Sequence, residues 1–164
     1  MRLARVVAVL TLAACAAGPG PANRPAGFAV VAHVVDGDTI DVVIGRHHER
    51  VRLLGINTPE VVDPRRPVEC YGPEASALTK SLLHPGTPVS LVRDVEPRDA
   101  YGRLLAYVYR QPDGLFVNLD LVVRGAALLL TFPPNTAHAA EFAAAAGNAK
   151  HARRGLWAAC RGNP

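Results

Sequence analysis

The segment from residue 28 to residue 160 has no net charge: fourteen Lys and Arg face fourteen Asp and Glu. The formal +4 of the whole 164-residue chain comes from its ends, and without Arg2 and Arg5 it falls to +2. This excludes a global basic field as a source of affinity for polyanions. Any nucleic-acid binding has to come from local placement of Arg, and the overall balance reads as an ordinary solvated surface. No segment after the first fourteen residues is long and apolar enough to span a membrane. No internal repeat is visible. Cysteine is scarce, at three residues. What is left is enough chain for one compact domain with one core.

The N-terminus reads as a leader. Arg2 and Arg5 form a positive start, and residues 6–14 are a short apolar run. That run is far below the roughly 20 residues a spanning helix needs, so it fits a secretory signal. Leu12-Ala13-Ala14-Cys15 is similar to a bacterial lipobox. The resemblance implies cleavage before Cys15 and acylation of its thiol, the multiply acylated form being the one that anchors stably. The expected order is a signal peptide over 1–14 and a Gly-, Pro- and Ala-rich tether from Cys15 to residue 27. A domain over 28–160 and a tail over 161–164 follow. The protein is then exported and held to the cell envelope through Cys15, or secreted if cleavage falls later. Cys70 and Cys160 remain, and outside the cytosol two leftover cysteines usually pair. So long a closed loop is worth roughly 4–5 kcal/mol in the chain-entropy account.

Along the domain, apolar β-branched runs predict strands over 28–35, 39–44, 50–56, 89–93 and 104–110. Asp36-Gly37-Asp38 is a turn, and 45–49 is a polar reversal. Alternation in the third strand sets Val51 and Leu53 on one face and Arg52 on the other. Helices are predicted from Pro73 to 82 or 83, over 117–124 and over 137–154, the last two stopped by Gly125 and Gly155. The pattern is α+β: an OB-fold, five-stranded antiparallel Greek-key barrel with about three helices.

The chemistry concentrates in two stretches, Asp36-Gly37-Asp38-Thr39 and Arg52-Leu53-Leu54-Gly55-Ile56-Asn57-Thr58-Pro59-Glu60. Phosphodiester hydrolysis needs a base for water and compensation for charge growing on phosphate oxygens. Glu60 can be the base, on a turn stiffened by Pro59. Arg52 can present a planar fork to two phosphate oxygens, and Arg103 a second one. Neither Arg is a ready proton donor. Asp38 is the evident hard-cation ligand. The Asn57 side-chain oxygen and the Thr58 carbonyl could complete the set, and Asp36 could ligate or stand behind it. All-oxygen ligation suits Ca²⁺ or Mg²⁺ and tells against zinc. His47 and His48 lie beside Glu49, but no matching ligand cluster accompanies them.

These stretches, with Tyr71-Gly72-Pro73-Glu74-Ala75, Tyr101-Gly102-Arg103-Leu104-Leu105-Ala106-Tyr107 and Gly155-Leu156-Trp157, resemble the thermonuclease (micrococcal nuclease) family. The likeness runs from about Phe28 to Trp157. It implies an OB-fold enzyme that uses one Ca²⁺ to cleave DNA and RNA, single-stranded or locally melted, leaving 3′-phosphate ends. It implies catalytic roles for Arg52, Glu60 and Arg103. Calcium ligation falls to Asp38, Asn57 and Thr58, and a substrate-phosphate contact to Tyr101. Two departures stand out. Asn57 replaces an Asp of many members, which should weaken the cation site. Thr131-Phe132 replaces an aromatic pair, which thins base stacking. The rival reading is a non-catalytic OB module that binds nucleic acid or a partner at the envelope. Such a binder has no need to keep Arg52, Glu60 and Arg103 together. A monomer is the default state.

Overall fold

A computed structural model describes residues 28–61 and 67–160. The leader, Cys15, the tether and the tail lie outside the described residues. The chain runs β1 (Ala29–Asp36), β2 (Thr39–Ile44), β3 (His47–Leu53), β4 (Gly55–Asn57), α1 (Gly72–Leu82), β5 (Pro88–Val92), β6 (Leu104–Arg110), α2 (Val117–Val123), β7 (Leu128–Leu130), α3 (Ala139–His151) and α4 (Leu156–Ala159). Among the described residues no helix is long and apolar enough to cross a membrane.

Five strands close a barrel in the order β1-β2-β3-β6-β5. Their inward residues, Val31, Ile40, Val42, Val51, Leu53, Ala106 and Val108, are almost wholly buried. The architecture is the expected OB-type α+β barrel, with one correction. β3 and β6 run parallel, Val51 opposite Leu104 and Leu53 opposite Ala106. The other neighbouring pairs are antiparallel. A ring of five strands cannot alternate direction all the way round, so one pair has to be parallel.

The reversal expected over 45–49 is shorter. Gly45 and Arg46 alone make the turn, and His47 already pairs with Ile44. The strand expected over 50–56 is two strands. The chain breaks at Leu54, and Gly55 takes φ +80°, a left-handed conformation natural only to glycine. A β-carbon there would overlap the Phe142 ring of α3. The break swings β4 out of the barrel to pair with β7, Gly55 opposite Leu130 and Asn57 opposite Leu128. Residues 57–60 are thereby directed across the mouth of the barrel.

α2 packs on β6 and on α3. Phe142 fills the space between α3 and the barrel at 2% exposure, a burial worth about 1.5–3 kcal/mol. At the far end of the chain Cys70 and Cys160 are joined, with Cα atoms 5.9 Å apart. The second half of the fold is thus tied to the turn that precedes α1.

Candidate active site

The β1–β2 turn is built to meet residue 58. A β-carbon on Gly37 would come within 2.6 Å of Thr58 Oγ1, so only glycine lets the two segments approach this closely. The Thr58 N–H donates to Asp38 Oδ2 at 2.8 Å. Behind the turn, Thr79 of α1 donates its hydroxyl to the Gly37 carbonyl at 2.6 Å. Asp38 also accepts from the Thr39 hydroxyl at 3.0 Å. It is 6% exposed, so its carboxylate is aimed by its surroundings and not by chance of rotamer.

Arg52 is more enclosed than strand alternation predicted. Its face was expected to lie away from the core, yet it is nearly as buried as Val51 and Leu53, at 5% exposure. The reason is that this end of β3 is covered on both sides, by the barrel interior and by the β1–β2 turn with β4. The guanidinium is satisfied there. Nη1 donates to the carbonyls of Leu53 (2.9 Å) and Ile56 (2.8 Å). Nη2 donates to Asn57 Oδ1 at 3.1 Å and lies 3.1 Å from Asp38 Oδ2. Burial lowers its pKa, and the positive charge of Arg103 adds to that while Asp38 opposes it. The two guanidiniums therefore feel each other across the cleft.

Arg103 is held from its own loop. Its Nε donates to Asp99 Oδ2 at 2.7 Å and its backbone N–H to Asp99 Oδ1 at 2.9 Å. Arg103 lines the cleft, with the Tyr101 ring 5.5 Å from Cζ. Tyr101 itself is 86% exposed, at the rim. Among the described residues the hydrogen bonds of Arg103 are those to Asp99.

Glu60 is held through its main chain. Its N–H donates to Glu69 Oε2 at 3.0 Å, and its carbonyl accepts from the Glu69 N–H at 2.9 Å. The Val61 N–H donates to Glu60 Oε1 at 2.9 Å. Asp36 stands beside it. Burial first, then the nearby charges of Asp38 and Glu60, push the Asp36 carboxyl up to about 6, against the pull of the Gly37 N–H at 2.7 Å.

One cleft of about 1010 Å³ collects Asp36, Asp38, Arg52, Asn57, Thr58, Glu60, Tyr101 and Arg103. Every candidate named from the sequence within the barrel thus faces a single space. Phe132, the aromatic expected to offer thinner stacking, lines it too, and sequence reasoning passed over Glu69 and Asp99, which also do. Asp99 was open to detection, four residues before Arg103 in the same turn. Glu69 had no such signal, because nine residues separate it from the group it holds.

Could this space take a cation? Among the described residues no three His, Cys, Asp or Glu side chains converge in ligating geometry. The oxygen donors are nevertheless suited to a hard ion. Thr58 Oγ1 is buried with no hydrogen-bond partner, close to Asp38. Asn57 Oδ1 is turned to Arg52, which leaves it a second lone pair.

Acidic side chains and two arginines that share one cleft at an OB-barrel mouth are the equipment of a phosphate-handling hydrolase. The comparisons with known proteins agree. The sequence profile described as staphylococcal nuclease homologue matches residues 50–159. A thermonuclease of Staphylococcus intermedius is 41% identical over 128 residues, 78% of this chain and 74% of that protein. A thermonuclease of Staphylococcus hyicus is 35% identical over 127 residues, 77% of this chain and 73% of that one. Endonuclease YncB of Bacillus subtilis is 36% identical over 124 residues, 75% of this chain and 58% of that protein. The chain belongs to the staphylococcal nuclease family, and by that membership it is a nuclease-type hydrolase.

Proposed function

We propose that this domain hydrolyses phosphodiester bonds of DNA and RNA, in single strands or locally melted duplex, leaving 3′-phosphate ends, with one Ca²⁺ in the cleft. The observation that carries the reading is the convergence of Arg52, Glu60, Arg103 and Asp38 on one space.

The substrate phosphate lies between the two guanidiniums. Arg52 arrives there already fixed by three hydrogen-bond acceptors and by its ion pair with Asp38. Its positive charge is thus in place before charge builds on the phosphate oxygens. Arg103 offers its Nη edge from the opposite loop, and Tyr101 flanks the phosphate at the rim. Glu60 accepts a proton from the attacking water. Water adds across the bond between phosphorus and the 5′ oxygen, so phosphate stays on the 3′ side and the 5′ side ends as a hydroxyl. Asp38, Asn57 Oδ1 and the Thr58 carbonyl would hold the cation, with Asp36 behind them. The ion, when bound, would offset phosphate charge that the arginines alone leave uncovered.

Export and attachment to the envelope through acylated Cys15 complete the proposal. Cys15→Ser should release the protein from the membrane fraction, and a variant that stays there would end that part of it. The enzymatic part is tested by digestion of single-stranded DNA with Ca²⁺ and with chelator, wild type beside Glu60→Ser. Wild type should cut only with the ion, and the variant should lose about 10²-fold or more. Equal digestion by both, or none by either at any Ca²⁺ level, removes the assignment.

A further inference from the structure

Glu60 is a base on a short turn, and a base on a turn needs something to hold it. Pro59 supplies part of that stiffness, the Val61 N–H holds the carboxylate at 2.9 Å, and a neighbour nine residues on holds the main chain. Glu69 makes a two-point clamp on residue 60, its carboxylate taking the Glu60 N–H at 3.0 Å and its own N–H giving to the Glu60 carbonyl at 2.9 Å. Gly72, at the start of α1, closes the other side. A β-carbon there would press on the carbonyls of Glu60 and Pro59 at 3.1 and 3.2 Å. The main chain of Glu60 is therefore gripped between Glu69 and the first turn of α1.

The grip has an anchor. The residue after Glu69 is Cys70, and its partner Cys160 caps the last helix. α4 is in turn pinned to the body of the fold, the Leu156 N–H donating to the Gly125 carbonyl at 2.8 Å. Gly125 and Gly155 approach so closely that neither admits a side chain. Covalent bonds and one tight backbone contact thus run from the segment after α2, through α4 and the disulfide, to the residue beside the clamp.

We propose that Glu69 is a positioning residue for Glu60, and that the Cys70–Cys160 disulfide keeps it in place, so that turnover depends on a bond made far along the chain. This rests on the reading of Glu60 as the base. A misplacement of the order of 1 Å at a reacting group can cost about 10²-fold in rate, and a clamp on the main chain governs displacements of that size. Substrate affinity depends on Arg52, Arg103 and Tyr101, whereas the clamp's hydrogen bonds go to the main chain of Glu60. Losing the clamp should therefore lower kcat and spare KM.

The experiment uses the full chain with Ca²⁺ and single-stranded DNA, comparing wild type, Glu60→Ser, Glu69→Leu, Glu69→Gln and the pair Cys70→Ala with Cys160→Ala. Glu69→Leu should lower kcat about tenfold or more with KM within about twofold. Glu69→Gln, whose amide oxygen can still accept the Glu60 N–H, should recover most of it. The cysteine pair should fall between. A dithiol reductant, which gives two electrons and two protons to the disulfide and becomes a disulfide itself, should reproduce that loss in wild type, and reoxidation should reverse it. Amide hydrogen exchange at Glu60 should quicken by about tenfold or more in Glu69→Leu and remain slow in Glu69→Gln. A wild type that depends on Glu60 while Glu69→Leu turns over normally overturns this inference alone, as does Glu60 exchange that ignores Glu69. A wild type that cuts nothing overturns the proposed function beneath it.

Discussion

Arg52 and Asn57 hold each other across the Gly55 break, the Nη2 of the arginine donating to the Oδ1 of the amide over 3.1 Å. The same Nη2 lies 3.1 Å from Asp38 Oδ2. One guanidinium thus orders two of the proposed cation donors, and the cation site and the phosphate clamp share a hydrogen-bond network. Asn57→Asp keeps the acceptor for Arg52 and adds a charge beside Asp38. It should lower the Ca²⁺ concentration for half-maximal cleavage by several-fold, since ligand charge tunes such sites. A titration midpoint that does not move would take Asn57 out of the site.

The two arginines should separate in stability although they share a role. Arg52 is buried with Asp38 as its ion-pair partner, so Arg52→Met leaves a buried carboxylate uncompensated, a loss of about 3–5 kcal/mol. Arg103 is partly exposed on its loop, with 28% of its side chain accessible. Arg103→Met should cost under about 1 kcal/mol. Both should lose about 10²-fold or more in kcat/KM. Thermal unfolding beside kinetics checks this, and equal melting temperatures for the two variants would contradict the enclosed position of Arg52.

Much of the site was legible because its chemistry is contiguous. Asp36 to Thr39 and Arg52 to Glu60 are each one short stretch, and local patterns survive reading along a chain. The strands of the barrel showed through their alternation for the same reason. What escaped notice depends on contacts between distant residues. Alternation told which face of β3 carries Arg52, but not that both faces are covered. Leu128 to Leu130 is too short a run to show a period, so the β4–β7 pair was invisible. The parallel β3–β6 pair follows from closing a ring of five, which no single segment records. Glu69 joins the site only through folding of the loop that it ends.

Asp94 makes stability depend on acid. The Ala137 N–H first, then the Tyr107 hydroxyl, hold its carboxyl below the ordinary value, with burial opposing. Both bonds go to the same oxygen, at 2.9 and 3.0 Å, and tie the end of β5 to the approach to α3. A carboxyl with a lowered folded pKa stabilises the fold above its unfolded value, about 3.9. That stabilisation is lost as pH falls through the lower, folded value. Wild type should therefore melt higher than Asp94→Asn at pH 7, and the gap should close as pH drops below about 4. A gap of the same size at pH 3 and pH 7 would show that the charge of Asp94 is irrelevant to it.

Gly55 carries the geometry on which the site depends. At φ +80° it disfavours any β-carbon, and the space a methyl would need is filled by the Phe142 ring. Two costs therefore fall on Gly55→Ala. One is left-handed backbone strain of about 1 kcal/mol or more. The other is overpacking of about 1–3 kcal/mol. Trimming the ring with Phe142→Leu relieves only the second, so the double variant should be less destabilised than the sum of the two single ones. Strand β4 leaves the barrel at this glycine and delivers Asn57 to the cleft. Any shift that relieves the clash should also move residues 57–60, and kcat should fall further than the melting temperature alone would suggest. Additive stabilities in the double-variant cycle, measured by denaturant unfolding, would show that the ring and the glycine do not constrain each other.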